Sequence, residues 1–180
     1  MPGEGVGSAK ALAEVFDAHA AYVGRSLRCL GVREHELGDV IQEVFLVVHG
    51  RLAELSDASR LRAWLYAICV KKALSARRDA ARRASREVKD ESRVAAASGV
   101  SDPLEELEKT QKLAQALAIL GELDDDKRVV FVLHEVEQLA MSEVAEIVGC
   151  PLQTAYSRLY AAKKEIAATL RRLRARGTLE

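Results

Sequence analysis

The chain is expected to be all-α: two small helical domains joined by a flexible linker, the C-terminal one containing a helix-turn-helix. Three observations lead there. Aromatic residues make up only 4% of the 180 residues and prolines number 3, so little favours sheet and little interrupts helix. Apolar residues return at three- and four-residue steps nearly throughout, which gathers them on one stripe at about 100° per residue. Around residues 88–102 that stripe gives way to the small and polar run KDESRVAAASGVSDP, the composition of a linker. With 49% hydrophobic residues there is enough apolar material for two cores. The expected limits are a disordered N-terminus at 1–9, a first domain at 10–87, the linker at 88–102, a second domain at 103–175 and a tail at 176–180.

The first domain begins with a helix over residues 9–30, where Leu12, Val15, Phe16, His19, Tyr22, Val23 and Leu27 fall at core spacing. Gly31 accepts the left-handed backbone of a helix end. His19 reads as a hydrogen-bonded core histidine. A second helix spans 34–55, with Leu37, Val40, Ile41, Val44, Val48, Leu52 and Leu55 pointing one way. Its other side is mixed rather than charged, gathering Asp39, Gln42, Leu46 and His49 with Phe45 at the border. Such a patch suits either a protein partner or the cover of a third helix. Residues 56–60 form a short polar loop in which Ser59 is placed to cap a helix starting at Arg60 or Leu61. Leu61, Trp64, Leu65 and Ile68 bury that helix. Beyond Val70 it turns basic through Lys71, Lys72, Arg77, Arg78, Arg82, Arg83 and Arg86, which suits phosphate contact.

In the second domain a helix over 103–120 brings Leu104, Leu107, Leu113, Ala116, Leu117 and Leu120 into phase. Within LDDDKRVVFVLHEVEQ, Asp124 or Asp125 caps a short helix buried through Val129, Val130, Val132, Leu133 and Val136. Residues 139–173, LAMSEVAEIVGCPLQTAYSRLYAAKKEIAATLRRL, then read as a helix-turn-helix. Its first helix is expected to start at a capping Ser142, with Glu143 favouring the dipole and Val144, Ala145, Ile147 and Val148 buried. Gly149 supplies the stop, and Pro151 fits the opening of the next helix because its missing N–H would go unpaired there. A turn of about three residues is what the motif requires. In the second helix Leu152, Ala155, Leu159, Ala162, Ile166, Leu170 and Leu173 make the core stripe. The opposite stripe holds Gln153, Ser157, Tyr160 and Lys164, flanked by Thr154, Arg158 and Lys163, each able to hydrogen-bond a base edge or a phosphate.

Net charge is zero, yet the charge is laid out in blocks. Residues 1–57 hold 5 basic and 9 acidic side chains and 58–93 hold 11 and 4, whereas 101–147 hold 4 and 12 and 151–180 hold 7 and 2. Two basic segments alternating with two acidic ones suit two separate anionic contacts, with acidic surface left for other partners or for repelling DNA. No run reaches the roughly 18 apolar residues of a membrane span, and MPGEGVGSAK lacks the charged start and apolar core of a leader. A cytoplasmic location without membrane contact is therefore expected. Cys29, Cys69 and Cys150 lie far apart with no CxxC pair and read as small buried hydrophobes, so no metal site is assigned.

The order of these segments resembles bacterial sigma factors of the extracytoplasmic-function type. DVIQEVFLVV at 39–48, followed by RLRAWLYAICVKKALSARR at 60–78, is similar to that family's promoter-melting domain. LGELDDDKRVVFVLHEVEQLAMSEVAEIVGCPLQTAYSRLYAAKKEI is similar to its C-terminal domain, which binds the minus 35 element. The resemblance covers about residues 10–173 and implies residue roles. Asp39, Gln42, Phe45 and Leu46 would dock on the clamp helices of the largest subunit of core RNA polymerase. Glu54, Ser56, Asp57 and Ser59 belong to the loop that would capture a flipped base of the minus 10 element, since an unstacked base needs a pocket with hydrogen-bonding walls. Arg60, Arg62, Lys71, Lys72, Arg77 and Arg78 would hold the backbone of the melted strand. Gln153, Thr154, Tyr156, Ser157, Arg158, Tyr160, Lys163 and Lys164 would read the minus 35 duplex. The linker would thread along the polymerase towards the RNA exit path. Lys71, Tyr156 and Ala161 depart from the residues commoner in the family, which leaves the class intact and bears on promoter sequence. Core RNA polymerase, promoter DNA and an anti-sigma factor are the implied partners of a chain that is monomeric when free.

The alternative is a stand-alone helix-turn-helix regulator, which would dimerise to match half-sites about one helical turn apart. It leaves the Asp39 to Leu46 patch and the basic helix unexplained. An enzyme is not expected: Asp124, Asp125 and Asp126 point in different directions at a helix start, and no Gly-rich phosphate loop or nucleophile elbow occurs. No catalytic residue and no cofactor are assigned.

Overall fold

A computed structural model describes residues 4–55, 57–84 and 103–176, which form helices and turns with no strand among them. The N-terminal half contains α1 (Glu4–Cys29), α2 (Glu34–Arg51) and α3 (Leu61–Ala84); the C-terminal half contains α4 (Pro103–Glu122), α5 (Asp125–Phe131), α6 (Met141–Val148) and α7 (Leu152–Ala175). The linker expected at 88–102 lies outside the described residues.

In the first half α1, α2 and α3 pack on one another around Val23, Leu27, Val44, Val48, Leu65, Tyr66 and Cys69, all fully buried. The turn after α1 takes φ 88° at Gly31, which lets the Leu30 and Val32 amides return to the carbonyls of Ser26 and Leu27 at 2.9 and 3.0 Å. α2 ends four residues before the expected limit and tightens into a 3₁₀ turn at Leu52–Glu54. A second 3₁₀ turn, Ala58–Arg60, precedes α3. The capping acceptor there is Asp57, not Ser59: Asp57 Oδ1 accepts from the Ser59 amide at 2.9 Å and its hydroxyl at 2.6 Å. Ser59 lies inside the turn, so its side chain donates backwards. Burial pushes the Cys69 thiol up to about 12 and raises Cys29 as well, with Glu137 adding to both, so each stays a protonated, apolar filler.

In the second half Asp124 caps α5, its Oδ1 accepting from the Lys127 amide at 2.9 Å. Arg128, 1% exposed, donates to the carbonyls of Leu120, Gly121 and Leu123 at 2.7, 2.8 and 2.6 Å. The Leu120 carbonyl also takes the Leu123 amide at 3.2 Å, whereas those of Gly121 and Leu123 at the end of α4 have no helical partner, and the guanidinium reaches all three together. α5 then widens into a π turn at Val132–Val136, closed by the Glu137 amide on the Val132 carbonyl at 3.0 Å. α6 starts at Met141, before the expected Ser142. Its cap is the Glu143 carboxylate, which accepts from the Ala140 amide at 3.0 Å, while Ser142 is exposed within the first turn. Gly149 takes φ 72° and Pro151 caps α7, accepting from Thr154 and Ala155 at 2.9 and 3.1 Å.

Several residues expected in the cores are exposed: Phe16, Leu113, Ala116, Val136 and Leu152. Val136 sits in the π turn, which breaks the 100° step that placed it in phase. Leu152 is the first residue of α7, with no preceding turn beside it. α4 is covered towards its C-terminus, where Leu117 is half-buried and Leu120 buried, and is open at Leu113. Phe16 leans on Phe45 with ring centroids 4.6 Å apart and leaves its other side bare.

The two halves touch. α3 packs against α6 and α1 against α4. Glu137, between α5 and α6, buries its carboxylate in the N-terminal half, where it accepts from Ser26 Oγ at 2.7 Å and from the Tyr66 hydroxyl. Arg77 pairs with Asp125 at 2.8 Å and Arg60 with Glu146 at 3.3 Å.

Candidate nucleic-acid interface

The outward face of α7 is open. Gln153, Tyr156, Ser157, Tyr160 and Lys164 are all exposed, Tyr160 at 75%. Ser157 Oγ donates to the Gln153 carbonyl at 2.9 Å, and Thr154 is half-buried at the edge. Leu152, Tyr156, Tyr160 and Lys164 follow one another at four-residue steps along a single stripe. Leu152, assigned from spacing to the core, thus joins the surface residues at the start of the second helix. Such positions are the ones a helix-turn-helix turns to base edges. Arg158 and Lys163 sit elsewhere: Arg158 pairs with Asp126 and Lys163 with Glu135 at 2.8 Å. Each lies beside the outward stripe, one residue after Ser157 or before Lys164, and meets the acids that α5 and its π turn supply.

The residues expected at the minus 10 element gather along the loop and α3. Glu54, Asp57, Ser59, Arg60, Arg62, Lys71 and Arg78 are exposed, Lys72 and Arg77 are half-buried, and Ser56 lies outside the described residues. Glu54 pairs with Arg51 at 2.9 Å, Lys72 with Glu43 at 2.9 Å, and the Arg62 guanidinium stands 5.4 Å from the centre of the Tyr22 ring. Hydrogen bonds from Ser59 hold the Asp57 carboxyl below the ordinary carboxylate range. A cavity of about 410 Å³ opens between this loop and α6, walled by Glu54, Asp57, Arg60 and Trp64 on one side and by Glu143 and Glu146 on the other.

On α2 a shallow apolar depression of about 400 Å³ is lined by Phe16, Ile41, Gln42, Phe45, Leu46 and His49. Phe45 is its floor, 6% exposed, not the surface contact expected from its position; Leu46 stands over it at 62%, and Asp39 and Gln42 are exposed. Phe16 completes the depression from α1. Its place there was legible only as one more apolar residue of a core stripe. No described element covers Leu46, so the third helix packs elsewhere and leaves this patch bare.

Comparison with known proteins follows the same division. The family model described as Sigma-70 region 2 matches residues 15–83, and that described as Sigma-70, region 4 matches residues 113–166. The chain is 25% identical over 173 residues to RNA polymerase sigma factor CnrH of Cupriavidus metallidurans, covering 91% of this chain and 88% of that one. It is 28% identical over 138 residues to the ECF RNA polymerase sigma-E factor of Escherichia coli, covering 73% and 72%. Its fold is similar to CnrH solved in complex with the cytosolic domain of CnrY, with a TM-score of 0.63 and 24% identity over 89% of this chain and 88% of that one. It is also similar to the sigma factor RpoE solved with the anti-sigma factor NepR from Bartonella quintana, with a TM-score of 0.68 and 21% identity over 90% and 98%. Region 2 on α1 to α3 and region 4 on α4 to α7, in that order on one chain, place it in the sigma-70 family: it is an RNA polymerase sigma factor of the extracytoplasmic-function type, serving promoter recognition.

Proposed function

We propose that this sigma factor docks on core RNA polymerase through the α2 depression, opens the minus 10 element with residues 10–87 and reads the minus 35 duplex with residues 103–175, the segment 88–102 spanning the two. The observation that carries the docking assignment is Leu46, a large aliphatic side chain 62% exposed above a phenylalanine floor. Burying a side chain of this size contributes roughly 1.5–3 kcal/mol, a gain the free chain forgoes and a partner can realise. Asp39 and Gln42 beside it supply the polar rim.

The work done is differential binding, without catalysis and in the cytoplasm. Asp57, Ser59 and Glu54 offer hydrogen-bonding walls to an extruded base, and Arg60, Arg62, Lys71, Lys72, Arg77 and Arg78 offer cations to its strand. Together they must favour the open strand by enough to offset a few kcal/mol for each unstacked base. On α7, Gln153, Tyr156, Ser157 and Tyr160 face base edges while Lys164 meets phosphate. CnrH and RpoE were solved with CnrY and NepR, and an anti-sigma factor is proposed as a partner here too.

The test is co-elution of the purified chain with core RNA polymerase, compared with a combined Asp39→Arg, Leu46→Arg variant. Loss of binding in a variant that keeps its helical content is expected. A wild type that does not bind core polymerase would sink the docking assignment.

A further inference from the structure

Glu137 is placed against the pattern of its surroundings. It lies in a turn of the C-terminal half, yet it is 5% exposed and both carboxylate oxygens are bonded inside the N-terminal half, to Ser26 of α1 and Tyr66 of α3. A buried carboxylate is tolerated only when its oxygens are satisfied, and a seat of two hydroxyls does that. The seat is matched to its occupant: Ser26 and Tyr66 are themselves fully buried.

Two carboxylates around this anchor stand on arginines of α3 and of the turn before it. Asp125 from α5 holds Arg77 at 2.8 Å, and Glu146 from α6 holds Arg60 at 3.3 Å. Carboxylate and phosphate oxygens compete for the same guanidinium donors. Glu146 also walls the cavity beside the Asp57 loop together with Glu143, so a strand entering there would meet one further negative charge from α6.

We infer that the packed arrangement is a closed state of the free chain, latched by Glu137 in its Ser26 and Tyr66 seat, in which Asp125 and Glu146 occupy Arg77 and Arg60 in place of DNA phosphates. The inference rests on the assignment of Arg60 and Arg77 to the melted strand. Exposed pairs hold weakly by themselves, so the buried carboxylate supplies the hold and the outer acids supply the block. Loading on a promoter then requires the halves to part, driven by a ligand that binds the parted form better.

The experiment uses the full free chain, with small-angle X-ray scattering for compactness and fluorescence anisotropy of a labelled single-stranded 20-nucleotide DNA for affinity. Glu137→Ala is expected to raise the radius of gyration and to tighten single-strand binding by about tenfold, as release from a dominant closed form does. Asp125→Asn with Glu146→Gln, both at accessible positions, is expected to tighten it a few-fold. The control Glu14→Gln with Asp17→Asn changes net charge equally, at two acids of α1 that pair with neither Arg60 nor Arg77, and should not. Glu137→Gln keeps the test alive if the alanine variant fails to fold. Unchanged compactness in a folded Glu137 variant overturns the latch, and a parted chain with unchanged single-strand affinity overturns the block. The underlying assignment fails separately: Arg60→Ala with Arg77→Ala would then leave open-complex formation by the assembled polymerase unaffected.

Discussion

The two surfaces proposed to meet DNA are kept in different conditions. On α7 the outward stripe is bare, and the cations beside it that are paired, Arg158 and Lys163, are paired within their own half. On α3 and the turn before it, the guanidiniums of Arg77 and Arg60 are engaged by carboxylates of the opposite half. A basic residue is therefore available to phosphate only after its partners inside the chain have been accounted for. Charge blocks along a sequence describe supply, and the fold decides how much of it is free.

The largest expected effect tests whether the two halves stand separately. Arg128→Ala leaves the Gly121 and Leu123 carbonyls without a donor and should cost about 2–5 kcal/mol, since each buried unsatisfied acceptor costs roughly 1–3. Urea unfolding followed by circular dichroism should show the loss, with the α7 face failing while α1 to α3 keep their helices. A change under about 1 kcal/mol would contradict the role given to this side chain.

Next come the cations and aromatics of the open face. Tyr160→Ala and Lys164→Ala should each weaken minus 35 duplex binding by about tenfold, near 1.4 kcal/mol, and Lys164→Ala should flatten the salt dependence by about one unit. Arg158→Ala should leave that slope almost unchanged, because Asp126 already occupies its guanidinium. Equal slopes for the two variants would erase the distinction between open and engaged cations. On the other surface, Arg77→Ala with Arg78→Ala should lower open-complex formation several-fold by permanganate reactivity of the minus 10 bases, without altering duplex affinity for the minus 35 element.

The smallest effect concerns a cap. Asp124→Ala should cost about 1 kcal/mol at neutral pH. The Lys127 ammonium, ahead of the amide bond, holds the Asp124 carboxyl below its ordinary value. A depressed folded value means the contribution is complete above the unfolded value, near 3.9, and is lost as pH falls through the folded one. The stability gap between wild type and variant should accordingly narrow as urea midpoints are taken at pH values below the ordinary carboxylate range.

What the sequence made legible follows the range of the interactions involved. Gly31, Gly149, Pro151 and Asp124 mark ends through contacts with near neighbours, and each stands where its local chemistry requires. Apolar stripes were readable as stripes, but nothing local says where a stripe ceases to be covered, hence Phe16, Leu113 and Leu152 on the surface. Ser26 and Glu137 are 111 residues apart and Tyr66 and Glu137 are 71 apart, so no spacing announces their meeting. Arg128 follows three aspartates and a lysine and reads as one more surface charge; only the Gly121 and Leu123 carbonyls at the end of α4 give it a structural task. On the proposed docking patch Leu46 was legible because an apolar residue broke a polar face. Its floor at Phe45 and flank at Phe16 required the packing of α1 on α2.

The π turn at Val132–Val136 accommodates one residue more than an α-helical turn does. A π turn rotates and rises about as far as an α turn with one residue fewer, so excising a single residue there, such as the exposed Val136, would let the helix close regularly with Glu137 still near its seat. The same excision from the α-helical part of α5 would instead turn everything beyond by about 100° and draw it back about 1.5 Å, taking Glu137 from its seat although no partner had been substituted. Length along this segment, counted in single residues, is thus heritable control over how the two halves meet, and the π turn is where a change of one residue can be absorbed.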